Sequence, residues 1–307
     1  MADEEIKEII ENSDEAENTL PEGQQKGKRK NGYVVRFARL LILGGIALVF
    51  FVVFFIWFWH SENKETTDYC PKIVVMGDSI FAHTIDETSV VNLLSDKMDM
   101  EIADISFGGS CMSYIDRDAR MGNNHDAFSM AALTQAILAK DFRYQESANV
   151  RLYATEYFDD RIELLKSIDF SQVDILIINH LLNDYQIVVP PECGSDKYDE
   201  YTYEGAIRSV ITQLKKAYPN MRIIIVAPVK SWYTEEYIVS KDYDSGYGTV
   251  DKYIEVQRDV SEELGVEWIS LFDLYDDHQL TLDSIHPNEE AREMIADYLY
   301  DYLADGE

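Results

Sequence analysis

Four short segments of this chain carry residue types that together could transfer an acyl group. Gly77-Asp78-Ser79 directly follows the apolar run KIVVM at 72–76. A serine at a strand-to-helix turn exposes its hydroxyl and holds its own backbone N–H beside a helix start. Both suit a nucleophile whose attack generates an oxyanion. Near the other end stands Asp283-Ser284-Ile285-His286-Pro287. Asp283 can turn back to accept a hydrogen bond from the His286 ring, fixing its tautomer and stabilising the imidazolium formed when the ring takes a serine proton. Pro287 suits the first position of a final helix with Glu289 and Glu290 in its first turn, which would put His286 at the helix start. Asn183-Asp184 follows VDILIIN at 173–179 and then His180-Leu181-Leu182, and an Asn amide there can donate to a developing oxyanion. Ser106-Phe107-Gly108-Gly109-Ser110 follows EIADIS at 101–106, and a glycine lets the backbone approach a ligand and aim its N–H. Taken singly, each segment is also an ordinary turn, cap or loop.

These segments need elements to position them. KIVVM, EIADIS, VDILIIN, RIIIVA at 222–227 and GVEWISL at 265–271 are short apolar runs, as strands buried on both faces are. Helical patterns occupy 87–98, 127–140, 155–167, 203–217, 249–264 and 288–303. Alternating β and α segments predict a three-layer α/β/α fold with a parallel sheet of about five strands. Ligands bind beyond the carboxyl ends of the strands in such open sheets. Each of the four segments lies just past a predicted strand or in the last connection.

A Ser, a Gly, an Asn and an Asp-x-x-His in this order, opening on Gly-Asp-Ser, resemble the SGNH (GDSL-type) hydrolase family over roughly residues 72–303. The resemblance implies a flavodoxin-like α/β/α domain and a serine esterase that needs neither metal nor organic cofactor. It implies Ser79 as nucleophile, His286 as general base and Asp283 as the group orienting it. It further implies an oxyanion hole made by the Ser79 N–H, the Gly109 N–H and the Asn183 side-chain amide. The choice between Gly108 and Gly109 rests on counting from Asp104. The family's third motif usually carries a Gly two residues before the Asn, where this chain has Leu181. The GxSxG elbow of the α/β-hydrolases is absent.

Several other residues suggest themselves as neighbours of such a site. His180 ends a predicted strand near Asn183, and His83 lies four residues after Ser79 on the same helical face. The long loops 185–202 and 228–248 bring Tyr198, Trp232, Tyr233 and Tyr243, aromatic side chains suited to walls around a sugar ring or an acyl chain. His180, Trp232 and Tyr233 are the substrate-binding candidates. His60, His125 and His278 show no metal-ligand spacing. The three cysteines form no framework; Cys111 and Cys193 follow strands at the same predicted edge, where a disulfide between them is conceivable outside the cell, and Cys70 sits at the opposite end of the first strand.

Residues 1–39 are predominantly polar and predict a disordered tail. Residues 40–59 read LLILGGIALVFFVVFFIWFW, twenty residues without a charge, which matches the length that crosses a ~30 Å hydrocarbon layer and predicts one transmembrane helix. Lys26, Lys28, Arg29, Lys30, Arg36 and Arg39 precede it, so the positive-inside rule puts the N-terminus in the cytoplasm and the catalytic domain, 70–307, outside the cell behind a linker at 60–69. The net charge is −30; residues 1–60 hold 7 basic and 9 acidic side chains, leaving 20 and 48 in 61–307. Such an acidic domain disfavours nucleic acid and anionic lipid as partners. The expected substrate is a short acyl ester, such as acetyl, on an envelope glycan or a small molecule. The same residues would serve an O-acyltransferase on an envelope polysaccharide or a lipase or lysophospholipase. A non-catalytic surface module is the remaining class, and the intact Ser, His and Asp count against it. Oligomeric state is not legible.

Overall fold

Continuous β-branched and aliphatic runs give strands that can be covered on both faces, and the chain uses five of them in one parallel sheet. The computed structural model describes residues 51, 70–115, 117, 124–152, 156–233 and 238–305. The strands are β1 (Ile73–Gly77), β2 (Ile102–Asp104), β3 (Ile175–Asn179), β4 (Arg222–Ala227) and, after a two-stranded antiparallel ribbon of β5 (Trp232–Tyr233) and β6 (Ile238–Val239), β7 (Glu267–Ser270). Their order is β2-β1-β3-β4-β7 and every pairing in the sheet is parallel. Gly77 stands opposite Asn179 in the register, so β1 and β3 end level with each other.

The helices are α1 (Ser79–Ala82), α2 (Val90–Met98), α3 (Met130–Ala139), α4 (Arg143–Leu152), α5 (Glu156–Ser167), α6 (Leu182–Gln186), α7 (Tyr203–Ala217), α8 (Val250–Leu264) and α9 (Glu289–Ala304). They form the two outer layers of an α/β/α sandwich. α2 packs against α9, and α7 packs against both α3 and α8. Their buried faces follow helical spacing: Val90, Val91 and Leu94 on α2, and Ala291, Ile295, Leu299 and Leu303 on α9. Caps fix the starts. Ser89 accepts from Asn92 N–H at 3.2 Å, Ser129 from Ala132 N–H at 3.2 Å, and Asn288 from Ala291 N–H at 3.0 Å.

The predicted strands and main helices are present with their ends shifted by a few residues. Three elements carried no periodic signal because they are short or polar: α1, α6 and the β5–β6 ribbon. The helix α4 was also unforeseen. The last helix begins at Glu289 with Asn288 as its cap, so Pro287 is not its first residue; Pro287 instead pairs with Thr281 in an isolated antiparallel bridge. The Cys111–Cys193 disulfide is absent. Cys111 is buried, and the Cys193 thiol lies 3.0 Å from the Glu204 carboxylate, to which it donates. The predicted tail, the linker and, save Phe51, the apolar segment 40–59 lie outside the described residues. Among the described residues no helix is long and apolar enough to cross a membrane.

Candidate active site

The chain runs outward from β1 to β2 at one edge and then returns to β3 on the other side of β1. The crevice beyond the β1 and β3 carboxyl ends is therefore the topological switch point, where ligands of open α/β sheets bind. Ser79 is placed there by a sharp turn. The Asp78 N–H donates to Asn179 O at 3.1 Å, and the Asp78 carboxylate accepts from Ile80 N–H at 2.9 Å, which starts α1 at Ser79. A Cβ at Gly77 would meet Ser106 Oγ at 3.2 Å and the Asn179 carbonyl at 3.3 Å, so glycine lets the three segments close up here without pushing either aside. Asp78 is fully buried, and burial, with Asp184 nearby, pushes its carboxyl up to about 7.

His286 reaches the serine from the far end of the chain. Its Nε2 lies 2.8 Å from Ser79 Oγ and its Nδ1 lies 2.7 Å from Asp283 Oδ2. The other Asp283 oxygen accepts from the backbone N–H groups of Ile285, at 3.2 Å, and His286, at 2.9 Å. These two donors, together with the ring, hold the Asp283 carboxyl below its ordinary range despite partial burial. The turn itself needs Ser284 in the left-handed region, φ 73°. It is braced from outside: Trp232 N–H donates to Ser284 O at 2.8 Å and Leu282 N–H to His286 O at 2.7 Å. His83, at the end of α1, lies flat against His286, with ring centroids 4.1 Å apart and planes 13° from parallel.

The loop after β2 passes next to the serine. A Cβ on Gly108 would lie 3.9 Å from the Ser79 Cβ and 2.9 Å from the Tyr157 hydroxyl. The Gly108 N–H donates to that hydroxyl at 3.2 Å. The next residue, Gly109, adopts φ +74°, which glycine tolerates, and its N–H, like that of Ser79, has no hydrogen-bond partner among the described residues. The Gly108 N–H is thus engaged, while that of Gly109 is unpartnered among the described residues. Asn183 stands on α6, and its Nδ2 donates to Ser110 O at 2.9 Å, leaving the second amide hydrogen for a ligand. Asp184 ties the same loop down, accepting from Met112 N–H at 2.8 Å, Ser113 N–H at 3.0 Å and the Ser113 hydroxyl at 2.6 Å. On the other side α5 holds it, with Arg161 paired to the Asp104 carboxylate at 2.6 Å.

Two of the proposed wall residues have other duties. His180 is 1% exposed, its Nε2 lies 3.1 Å from Ser110 Oγ, and burial lowers its pKa to about 3. It is a neutral brace beneath the loop and does not reach the surface of the site. Trp232 is also buried, stacked on Tyr275 with the planes 18° apart, and its backbone supports the Asp283–His286 turn. Tyr233 is half-buried, with its hydroxyl joined to Gln186 Nε2 at 2.8 Å and its ring 5.4 Å from that of the exposed Tyr243. Tyr157 and Arg161 were missed by the sequence reading. They stand one helical turn apart on α5 and clamp one loop, a pairing visible only once the loop is folded.

The profile of the GDSL-like Lipase/Acylhydrolase family matches residues 75–294, well over half of the chain. The chain belongs to that family. It is a hydrolase acting on ester bonds. Among solved structures, a protein from Lactobacillus plantarum is similar at TM-score 0.54 and 19% identity, covering 77% of this chain and 98% of its own. A carbohydrate acetylesterase from Sinorhizobium meliloti aligns at TM-score 0.48 and 14% identity, covering 76% and 99%. An acetyl xylan esterase aligns at TM-score 0.47 and 16% identity, covering 75% and 98%. At these identities the likeness is one of fold. No curated protein matches the chain.

Proposed function

We propose that this GDSL-family hydrolase is a serine esterase that removes short acyl groups, acetyl among them, from a carbohydrate of the cell envelope. The observation that carries the mechanism is the continuous hydrogen-bonded chain from Asp283 through His286 to Ser79. In this reading His286 Nε2 takes the Ser79 proton as Oγ bonds to the ester carbonyl carbon. The carbonyl oxygen becomes an oxyanion held by the Ser79 N–H, the Gly109 N–H and the free Asn183 amide hydrogen. The tetrahedral adduct collapses, His286 returns the proton to the departing alcohol oxygen, and the acyl group stays on Ser79. Water then gives its proton to His286, attacks the same carbon and releases the carboxylic acid and free serine.

The substrate class rests on three supports. The exposed Tyr243 and the half-buried Tyr233 offer aromatic faces at the rim on which a sugar ring can lie. The acidic surface disfavours anionic lipid. The uncharged stretch 40–59, with basic residues before it, would anchor the domain on the outer side of a plasma membrane, within reach of envelope polymers. The test is hydrolysis of nitrophenyl esters from acetyl to long acyl, then of an acetylated glycan, by the full chain beside Ser79→Ala. Acetyl preference and acetate release, both lost in the variant, are the expected result. A preference for long acyl chains overturns the substrate class, and Ser79→Ala with wild-type turnover overturns the mechanism.

A further inference from the structure

The general base has a second imidazole on its face. His83 is held by α1, whose first residue is Ser79, and the His83 N–H donates to Ser79 O at 2.9 Å. The His83 ring is exposed at its outer edge and stacked on His286 at 4.1 Å between centroids, 13° from parallel. The nucleophile and the ring that covers the base therefore sit on one turn of helix, and the base fills the space between Ser79 Oγ and Asp283 edge-on, with His83 against its flat side. A ring so stacked cannot rotate about its Cβ–Cγ bond without losing the contact.

The groups that face His83 are few. His286 lies against it, and the charges of Asp283 beyond His286 and of Arg292 on α9 act on it. Arg292 is 8% exposed, and its guanidinium donates to Thr88 O at 2.7 Å, Thr88 Oγ1 at 2.8 Å and Pro287 O at 3.0 Å, all uncharged oxygens. Burial first, and then the neighbouring imidazole, lower the His83 pKa; Asp283 pulls the other way and Arg292 adds a lesser push downward. The lowered pKa favours the neutral form of the His83 ring, and a neutral aromatic face attracts a cation.

We propose that His83 is a positioning residue for His286: its stacked ring fixes the plane of the base and stabilises the imidazolium that forms as Ser79 attacks. The inference rests on the serine-esterase reading of the same site. It asks no bond to form at His83 and no proton to reach it. The role needs a flat neutral face, so phenylalanine can supply it and alanine cannot.

The experiment compares the full-length protein with His83→Ala and His83→Phe on nitrophenyl acetate from pH 5 to 9, with thermal melts of all three. A cation over an exposed aromatic face is worth about 2- to 5-fold in an equilibrium. His83→Ala should lose kcat by about that factor with KM unchanged, and the acid limb of its kcat/KM profile, which reports the base of the free enzyme, should move to lower pH. His83→Phe should recover both. Wild-type kcat and an unmoved acid limb in His83→Ala would overturn the proposal, as would His83→Phe being as slow as His83→Ala. If the wild-type protein itself hydrolyses no ester and Ser79 fails to label with a fluorophosphonate, the esterase reading falls, which is a different outcome from an active enzyme indifferent to His83.

Discussion

The replacement Asp283→Asn is the sharpest probe of the site, because the structure dictates which way the new amide must face. Asp283 Oδ1 accepts two backbone N–H groups, from Ile285 and His286, and Oδ2 faces the His286 ring. An asparagine keeps its oxygen toward the two backbone donors, since turning it over would set its NH2 against two N–H groups and lose both bonds, at ~0.5–1.5 kcal/mol each. Its NH2 then points at His286 Nδ1. That nitrogen can only accept, so the ring carries its proton on Nε2, and Nε2–H cannot take a proton from Ser79 Oγ. The turn is unchanged and the base is switched off. In a Ser-His-Asp site this tautomer error costs about 10⁴ in kcat, which at 1.36 kcal/mol per decade is ~5.5 kcal/mol. Asp283→Ala lacks the misdirecting amide, and because the Asp283 side chain is 51% exposed, water can reach Nδ1 and leave the productive tautomer available. The expected order in kcat on nitrophenyl acetate at pH 8 is wild type, then Asp283→Ala, then Asp283→Asn. Turnover of Asp283→Asn within about tenfold of wild type, or above that of Asp283→Ala, would refute the tautomer argument.

Two further outcomes follow from the same geometry. Asn183→Ala removes one oxyanion donor and should lower kcat by about 10²–10³ with a small effect on KM, while losing the bond to Ser110 O costs ~0.5–1.5 kcal/mol of stability; steady-state kinetics with a thermal melt checks both, and kcat within threefold of wild type removes Asn183 from the hole. Asp78→Asn keeps the cap on Ile80 N–H but removes a buried carboxyl raised from 3.8 to about 7. The folded chain holds this proton after the unfolded chain has released it, so the carboxyl destabilises the fold increasingly as pH rises from about 4 to about 7 and fully above that. Asp78→Asn should therefore melt above wild type at pH 8, by about 2–4 °C per kcal/mol recovered, with the difference closing by pH 4; a gap that widens on acidification reverses the sign and sinks the assignment.

The sheet was legible because its strands are buried on both faces and so read as unbroken apolar runs, and the main helices because their apolar residues recur at helical spacing. Gly77-Asp78-Ser79 and Asp283-x-x-His286 stood out as residue types suited to this chemistry, and the fold brings Ser79, His286 and Asp283 into one hydrogen-bonded chain. The choice between Gly108 and Gly109 is not legible in the sequence, since both are glycines in one loop; the Tyr157 hydroxyl that engages Gly108 comes from 49 residues away. Trp232 was hard to place for a related reason. A tryptophan in a long loop signals burial of something, and composition does not say whether it covers substrate or, as Trp232 does, the back of a catalytic turn. His180 likewise sits at the right strand end, yet its side chain points under the loop to Ser110.

Ser79 and His286 are 207 residues apart, and their 2.8 Å contact depends on how the first and last βα units are joined. The joint is the packing of α2 on α9, and Arg292 is its polar centre. Its guanidinium binds Thr88, just before α2, and the Pro287 carbonyl, next to His286. Thr88 is in turn held by Asp86 through its N–H at 2.9 Å and its hydroxyl at 2.7 Å. A buried guanidinium bonded, among the described residues, to neutral oxygens alone is costly, and an apolar side chain of similar volume would pack there at less expense in desolvation. What an apolar side chain cannot do is fix direction. Three hydrogen bonds in the plane of one rigid group set the distance between the serine side and the histidine side of the site. The cost in stability and the precision of the Ser79–His286 contact thus have one physical origin.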